Sequence, residues 1–141
     1  MVKFFLKTGD PQVDEAFMPY LWGEQGLRAF IETYTNTEDY GQGLKLLLIQ
    51  VYVEGRFAVN GPNEVSVGNY SRVRQETSAA FTVRREDFQD RDDDERKAFL
   101  SAMVLRAVAE VERKHGQKAR PYDFHALIES VATATEKYQG R

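Results

Sequence analysis

The segment at residues 44–53 constrains the fold of this chain more than any other. Its sequence, LKLLLIQVYV, places apolar side chains on both faces of a strand for most of its length. A strand of this kind is typical of the centre of a sheet, where both faces are covered. We therefore predict a central strand here, with other elements covering both of its faces at least in part.

The residues around this strand predict an antiparallel meander. Glu54 and Gly55 form a two-residue connection, and the glycine can supply the positive φ of a tight hairpin to residues 56–59. Residues 1–7 predict a further strand, at an edge or in the core. After a second turn at residues 60–63, three short segments alternate in the way expected of half-buried strands: residues 65–67, 70–74 and 79–84.

The C-terminal third predicts two amphipathic helices. One of the three aspartates at positions 92–94 caps the first helix, because a short carboxylate accepts bonds from the free amides and opposes the helix dipole. Apolar residues recur at spacings of three and four along residues 99–111, and Gly116 follows a basic last turn. The second helix begins near residues 121–123, and its apolar side comprises Phe124, Leu127, Ile128 and Val131.

Strands followed by two amphipathic helices indicate an α+β domain whose helices pack on one face of the sheet. We expect a single domain over residues 1–141, because this length is close to the commonest domain size. Residues 24–36 fit either a helix or a strand, since their apolar residues recur at helical spacing while the segment is rich in strand formers.

The composition indicates an ordinary soluble protein. Hydrophobic residues make up 42% of the chain and charged residues 29%, and the absence of cysteine excludes disulfides, thiolate metal sites and thiol nucleophiles. Lys7 and Asp10 interrupt the N-terminal apolar run before it reaches the length of a signal peptide, and no window is long enough for a membrane span. The net charge of −3 does not favour nucleic acid. We expect a cytoplasmic protein without a membrane or nucleic-acid partner.

No set of side chains matches a catalytic or metal-binding pattern. His115 and His125 flank the junction of the two predicted helices, but their spacing fits no known helical metal motif. The dense carboxylates lie in a charged, solvated run, and not in the paired apolar and polar settings that acid–base catalysis needs. We therefore predict a binding protein that is not an enzyme and that uses no metal and no cofactor.

Charged and aromatic clusters are the candidate binding features. Residues 86–95 are dense in carboxylates and residues 113–120 are basic, so we expect an electrically bipolar domain. Tyr20 and Trp22 form the largest aromatic concentration, which fits a core plug or a binding hot spot. A nucleic-acid platform of arginines beside aromatic residues is a further interpretation, although the acidic run that follows would repel phosphates: its members are Arg72, Arg74, Arg84 and Arg85.

One order of segments runs through residues 44–114. It comprises KLLLIQVYVEGRF from position 45, VGNYSR from 67, FTV from 81, EDF from 86, and then the helix over 95–114. This order resembles small bacterial immunity proteins, which are encoded beside polymorphic or contact-dependent toxins and neutralise the toxin domain. The resemblance implies a small, acidic, cytoplasmic and non-enzymatic protein that binds the active site or an exosite of a toxin.

Such a protein would act by stoichiometric occlusion of its toxin. Carboxylates would set the association rate and buried aromatic residues the lifetime of the complex. The candidate electrostatic residues are Asp90, Asp92, Asp93 and Glu95, with Tyr70 or Trp22 as anchors.

Two other classes stay open. One is a small ligand-binding domain or enzyme with a pocket between sheet and helices. The other is a structural homo-oligomer that buries an uncovered sheet face. The sequence allows a monomer or a homodimer.

Overall fold

The computed structural model describes residues 2–7, 43–55, 58, 60–84, 86–89, 91–119, 122 and 124–139. Within these described residues, four strands precede three helices. The strands are β1 (Val2–Lys7), β2 (Leu46–Val53), β3 (Val65–Val67) and β4 (Glu76–Val83), and the helices are α1 (Glu86–Gln89), α2 (Asp93–His115) and α3 (Phe124–Gln139). This arrangement confirms the α+β class. The ambiguous segment at residues 24–36 and the Tyr20–Trp22 cluster lie outside the described residues.

The four strands form one mixed sheet in the order β1-β2-β4-β3. β2 pairs in parallel with both β1 and β4, and only β3 and β4 are antiparallel. The predicted antiparallel meander is therefore wrong. β1 and β4 occupy both edges of β2, so no edge of this strand is left for the predicted hairpin partner. Most of that partner, residues 56–59, lies outside the described residues. Instead, the chain crosses to the far edge of the sheet as β3 and returns as β4.

β2 is the central strand that its sequence predicts. Leu47, Ile49 and Val51 alternate along the face that meets the helices and are almost completely buried. Tyr52, on the opposite face, is buried as well. A strand enclosed by parallel neighbours and covered on both faces requires apolar residues at nearly every position, as this segment has.

α2 begins and ends where its sequence signals indicate. Asp92 is the N-cap, and its Oδ1 accepts a hydrogen bond of 2.8 Å from the backbone N–H of Glu95. Gly116 follows the last helical residue. The buried stripe that packs into the core comprises Leu100, Met103, Val104, Ala107, Val108 and Val111.

The two long helices form a layer on the sheet. α2 packs against β3 and β4, and α3 packs mainly against α2. Phe124, Leu127 and Val131 of α3 join the same apolar core as β2 and β4. None of the described helices is both long and apolar enough to cross a membrane.

β3 and β4 are joined by a bulged hairpin. Val67 lies opposite Ala79, whereas Ser71 bridges to Glu76, so the β3 side holds one residue more than the β4 side between these pairs. The extra residue is a β-bulge, which redirects the side chains around it. The strand predicted at residues 70–74 is wrong, because residues 72–75 form the turn that reverses the chain into β4.

Candidate partner-binding surfaces

The charged segments lie at opposite ends of α2. The helix starts next to the acidic residues and ends with Arg113, Lys114 and His115. A helix of 23 residues is roughly 34 Å long at about 1.5 Å per residue. The bipolar charge pattern predicted from the sequence is therefore a separation of acidic and basic residues between the two ends of α2.

The acidic end contains part of the predicted electrostatic set. Asp92 and Glu95 are exposed, and Asp93 is the first residue of α2, whereas Asp90 lies outside the described residues. We define the acidic surface by its described, solvent-accessible members: Glu86, Asp87, Asp92, Asp94 and Glu95.

Two of these carboxylates also hold the chain in place. Asp92 caps α2, and Asp87 accepts a hydrogen bond of 3.3 Å from the backbone N–H of Arg84. Asp87 also lies 3.9 Å from Arg91, whose guanidinium stacks 4.7 Å from the ring centroid of Phe99. Among the described residues, by contrast, no side-chain partner accompanies the carboxylates of the other three members: Glu86, Asp94 and Glu95. Those three are the ones free to interact with a partner.

Tyr70 lies at the opposite end of α2 from the acidic surface. It is part of the bulge after β3, and its hydroxyl donates a hydrogen bond to the carbonyl oxygen of Gly43. Its half-buried ring lies 6.0 Å from the His115 ring, measured between centroids. The structure therefore does not bring Tyr70 together with the acidic residues. Trp22, the alternative anchor, is outside the described residues.

His115 connects the end of α2 to the bulge. The side chain is only 2% exposed, and its Nε2 lies 2.7 Å from the carbonyl oxygen of Gly68. Because a carbonyl only accepts, Nε2 carries the proton, and the buried Nδ1 has no hydrogen-bond partner among the described residues. His125 is exposed, 3.9 Å from Glu129. No three histidine or acidic side chains in the described segments are grouped to hold a metal ion.

A groove of about 710 Å³ lies at the junction of α2 and α3. It is not the pocket between sheet and helices that the ligand-binding alternative requires, because in the described part of the chain that space is filled by fully buried side chains such as Ile49, Phe81 and Val104. Most residues that line the groove are polar or charged. The full lining comprises Glu112, Arg113, Lys114, Gly116, Gln117, Lys118, Tyr122, Phe124 and His125.

The arginines of the nucleic-acid interpretation do not form one platform. Arg72 and Arg74 lie in the turn before β4, whereas Arg84 follows the end of β4. An eight-residue strand separates them by roughly 26 Å at about 3.3 Å per residue. Arg85 lies outside the described residues.

The exposed turn itself was missed in the sequence. It is the tetrapeptide RVRQ, which contains none of the residues that mark turns, so its composition predicted a strand. The structure places Arg72, Val73 and Arg74 there with exposed side chains.

Comparison with known proteins identifies a family. A family model described as Immunity protein 44 matches residues 3–137, whereas no curated protein and no solved structure matches the chain. The match confirms the resemblance to immunity proteins that the order of segments over residues 44–114 suggested. Because it spans far more than half of the sequence, this chain belongs to the Immunity protein 44 family and is an immunity protein of a toxin system.

Proposed function

We propose that this protein neutralises a cognate bacterial toxin by binding it stoichiometrically in the cytoplasm and occluding its active site or an exosite, without catalysis. The family match over residues 3–137 carries this proposal. A tightly filled apolar core supports it, because a rigid scaffold presents a preformed surface whose ordering entropy has already been lost before binding.

The acidic surface is the proposed site of electrostatic attraction. It offers three exposed or half-exposed carboxylates without a side-chain partner in the described structure: Glu86, Asp94 and Glu95. Charges of this kind attract a basic partner over about 10 Å at 0.1 M salt and raise the association rate. The proposal retains Asp90 and Asp93 of the predicted set. Tyr70 and Trp22 remain proposed anchors, with Tyr70 on a separate part of the surface.

Co-expression with the toxin tests the function. We expect the gene of the toxin to lie beside the gene of this chain, so the partner to test is the variable C-terminal domain of a large secreted protein encoded immediately upstream. Cells that produce this domain should survive only when the chain is present, and the purified proteins should elute as a 1:1 complex. Absence of a complex, or survival without one, would contradict the proposed function.

Charge reversal tests the acidic surface separately. Asp94→Lys with Glu95→Lys spares the Asp92 cap and should slow association about tenfold at low salt, with a flatter dependence on salt concentration. The matched control is Glu129→Lys with Glu136→Lys, which makes the same charge change on exposed positions of α3. Stopped-flow association rates that are equal for the two double variants would remove the acidic surface from the mechanism.

A further inference from the structure

The turn between Ser71 and Glu76 carries an unusual exposed group, which we call the basic tip and define as Arg72, Val73 and Arg74. Val73 is 96% exposed and is the only large hydrophobic residue in the described structure that is exposed. Arg72 and Arg74 on either side are exposed too, and in the described part of the chain neither guanidinium has a partner.

The basic tip is held in one conformation by its backbone. Ser71 and Glu76 exchange two hydrogen bonds of 2.9 and 3.3 Å, and the Ser71 hydroxyl accepts one of 3.2 Å from the N–H of Arg74. The carbonyl of Gln75 accepts a hydrogen bond of 2.7 Å from the N–H of Lys45, which fixes the turn to the start of β2. The backbone of such a turn is preorganised, so a partner that binds it does not have to order the turn itself.

The residues of this turn are not those that would stabilise it best. A β-branched residue such as Val73 prefers a packed strand, and at 96% exposure it buries almost nothing. Gln75 adopts φ 55°, a left-handed conformation that glycine or asparagine fills at lower cost. Local rules that are broken without a gain in packing mark functional positions.

The chemistry of the basic tip determines the kind of partner that it fits. Two arginines bind carboxylates through paired N–H donors, and the apolar side chain between them requires an apolar contact. A phosphate backbone would satisfy the arginines and leave Val73 in water, and the net charge of −3 does not favour nucleic acid. A projecting turn fits a concave surface.

We propose that the basic tip inserts into a carboxylate-lined cleft with an apolar floor on the toxin. This inference rests on the proposed function and adds a second contact to it. The acidic surface acts at long range and governs association, whereas the basic tip is buried on binding and governs dissociation.

Surface-coupled kinetics with the purified toxin domain test the inference. Val73→Asp, and separately Arg72→Ser with Arg74→Ser, should speed dissociation about 30-fold, the effect of losing a binding hot spot, with little change in association. Lys118→Ser is the control for charge, because it removes one exposed cation just after α2 without altering the turn, and Arg72→Ser alone makes the same change within the tip. All variants should unfold at the wild-type temperature, since the changed side chains are exposed.

The outcomes separate this inference from the proposed function. Dissociation that is unchanged in the tip variants, while the wild-type protein binds the toxin, overturns the role of the tip alone. Failure of the wild-type protein to bind the toxin contradicts both proposals. A labelled single-stranded RNA of about 20 nucleotides is titrated in parallel. If the wild-type protein binds this RNA and the double arginine variant does not, the tip recognises phosphate. That result would overturn the proposed insertion into a carboxylate-lined cleft.

Discussion

The hydrogen bond between His115 and Gly68 allows us to predict how substitutions of His115 change the free energy of unfolding. It joins the last residue of α2 to the bulge before the basic tip, across 47 positions of sequence. Substitution by glutamine or by asparagine tests the two ring nitrogens of His115 separately, because each amide nitrogen takes the position of a different ring nitrogen. The amide nitrogen of glutamine reaches the position of Nε2, whereas that of asparagine reaches only the position of Nδ1, where the described part of the chain offers no hydrogen-bond partner.

The magnitudes follow from burial. His115→Gln retains a donor to the Gly68 carbonyl and should lower the free energy of unfolding by less than about 1 kcal/mol. His115→Asn leaves that carbonyl without its donor and buries an amide with no partner, so we expect a loss of about 2 to 4 kcal/mol. Domains of this size unfold with about 5 to 15 kcal/mol, so both variants should remain mainly folded.

Urea denaturation measures both losses, and equal m-values would show that the unfolding transition is unchanged in kind. Amide hydrogen exchange adds a local test, because the Asn variant should lose protection first at Gly68 and Ser71, whose N–H groups bond across the hairpin. Equal losses for the Gln and Asn variants would show that the Nε2 hydrogen bond does not stabilise the junction.

Three further predictions follow from single contacts. Asp92→Ala should cost about 1 kcal/mol in urea denaturation because the helix cap is lost, and Asp92→Asn much less; equal losses would contradict the cap. Gly68→Ala should cost about 1 kcal/mol, because its Cβ would lie 2.6 Å from the Ser78 hydroxyl, and Ser78→Ala in the same chain should restore most of the loss; a purely additive double variant would refute the overlap. The hydrogen bond from Arg113 lowers the pKa of Glu110, so this pair stabilises the fold at neutral pH and its contribution disappears as the pH falls through that lowered pKa. NMR titration of Arg113→Gln should show the Glu110 pKa returning towards its usual value, and an unchanged titration would exclude the pair as its cause.

The sequence predicted correctly those features that depend on a single segment of the chain. The two-sided apolar pattern of residues 44–53 placed β2 at the centre of the sheet, and the three aspartates at positions 92–94 and Gly116 indicated both ends of α2. Each of these features depends on neighbouring residues, whose periodicity and hydrogen-bonding capacity are visible in the sequence.

The candidate surfaces were only partly visible in advance. The acidic run and the basic segment appeared in the sequence, and α2 places them at opposite ends because they flank a single helix. The basic tip was hidden, because Arg72, Val73 and Arg74 have the composition of a strand and become a turn only when β4 returns beside β3.

The amino-acid sequence by itself determined the central strand and the two long helices, which of their faces are apolar, and where charge accumulates. These properties arise from interactions within a few residues. Tertiary structure alone decided that β2 and β4 run in parallel, that His115 is buried against Gly68, and that Val73 projects into solvent. Strand direction and neighbour choice depend on contacts between residues far apart in the chain, and an alternating pattern gives the face of a strand without specifying its partner.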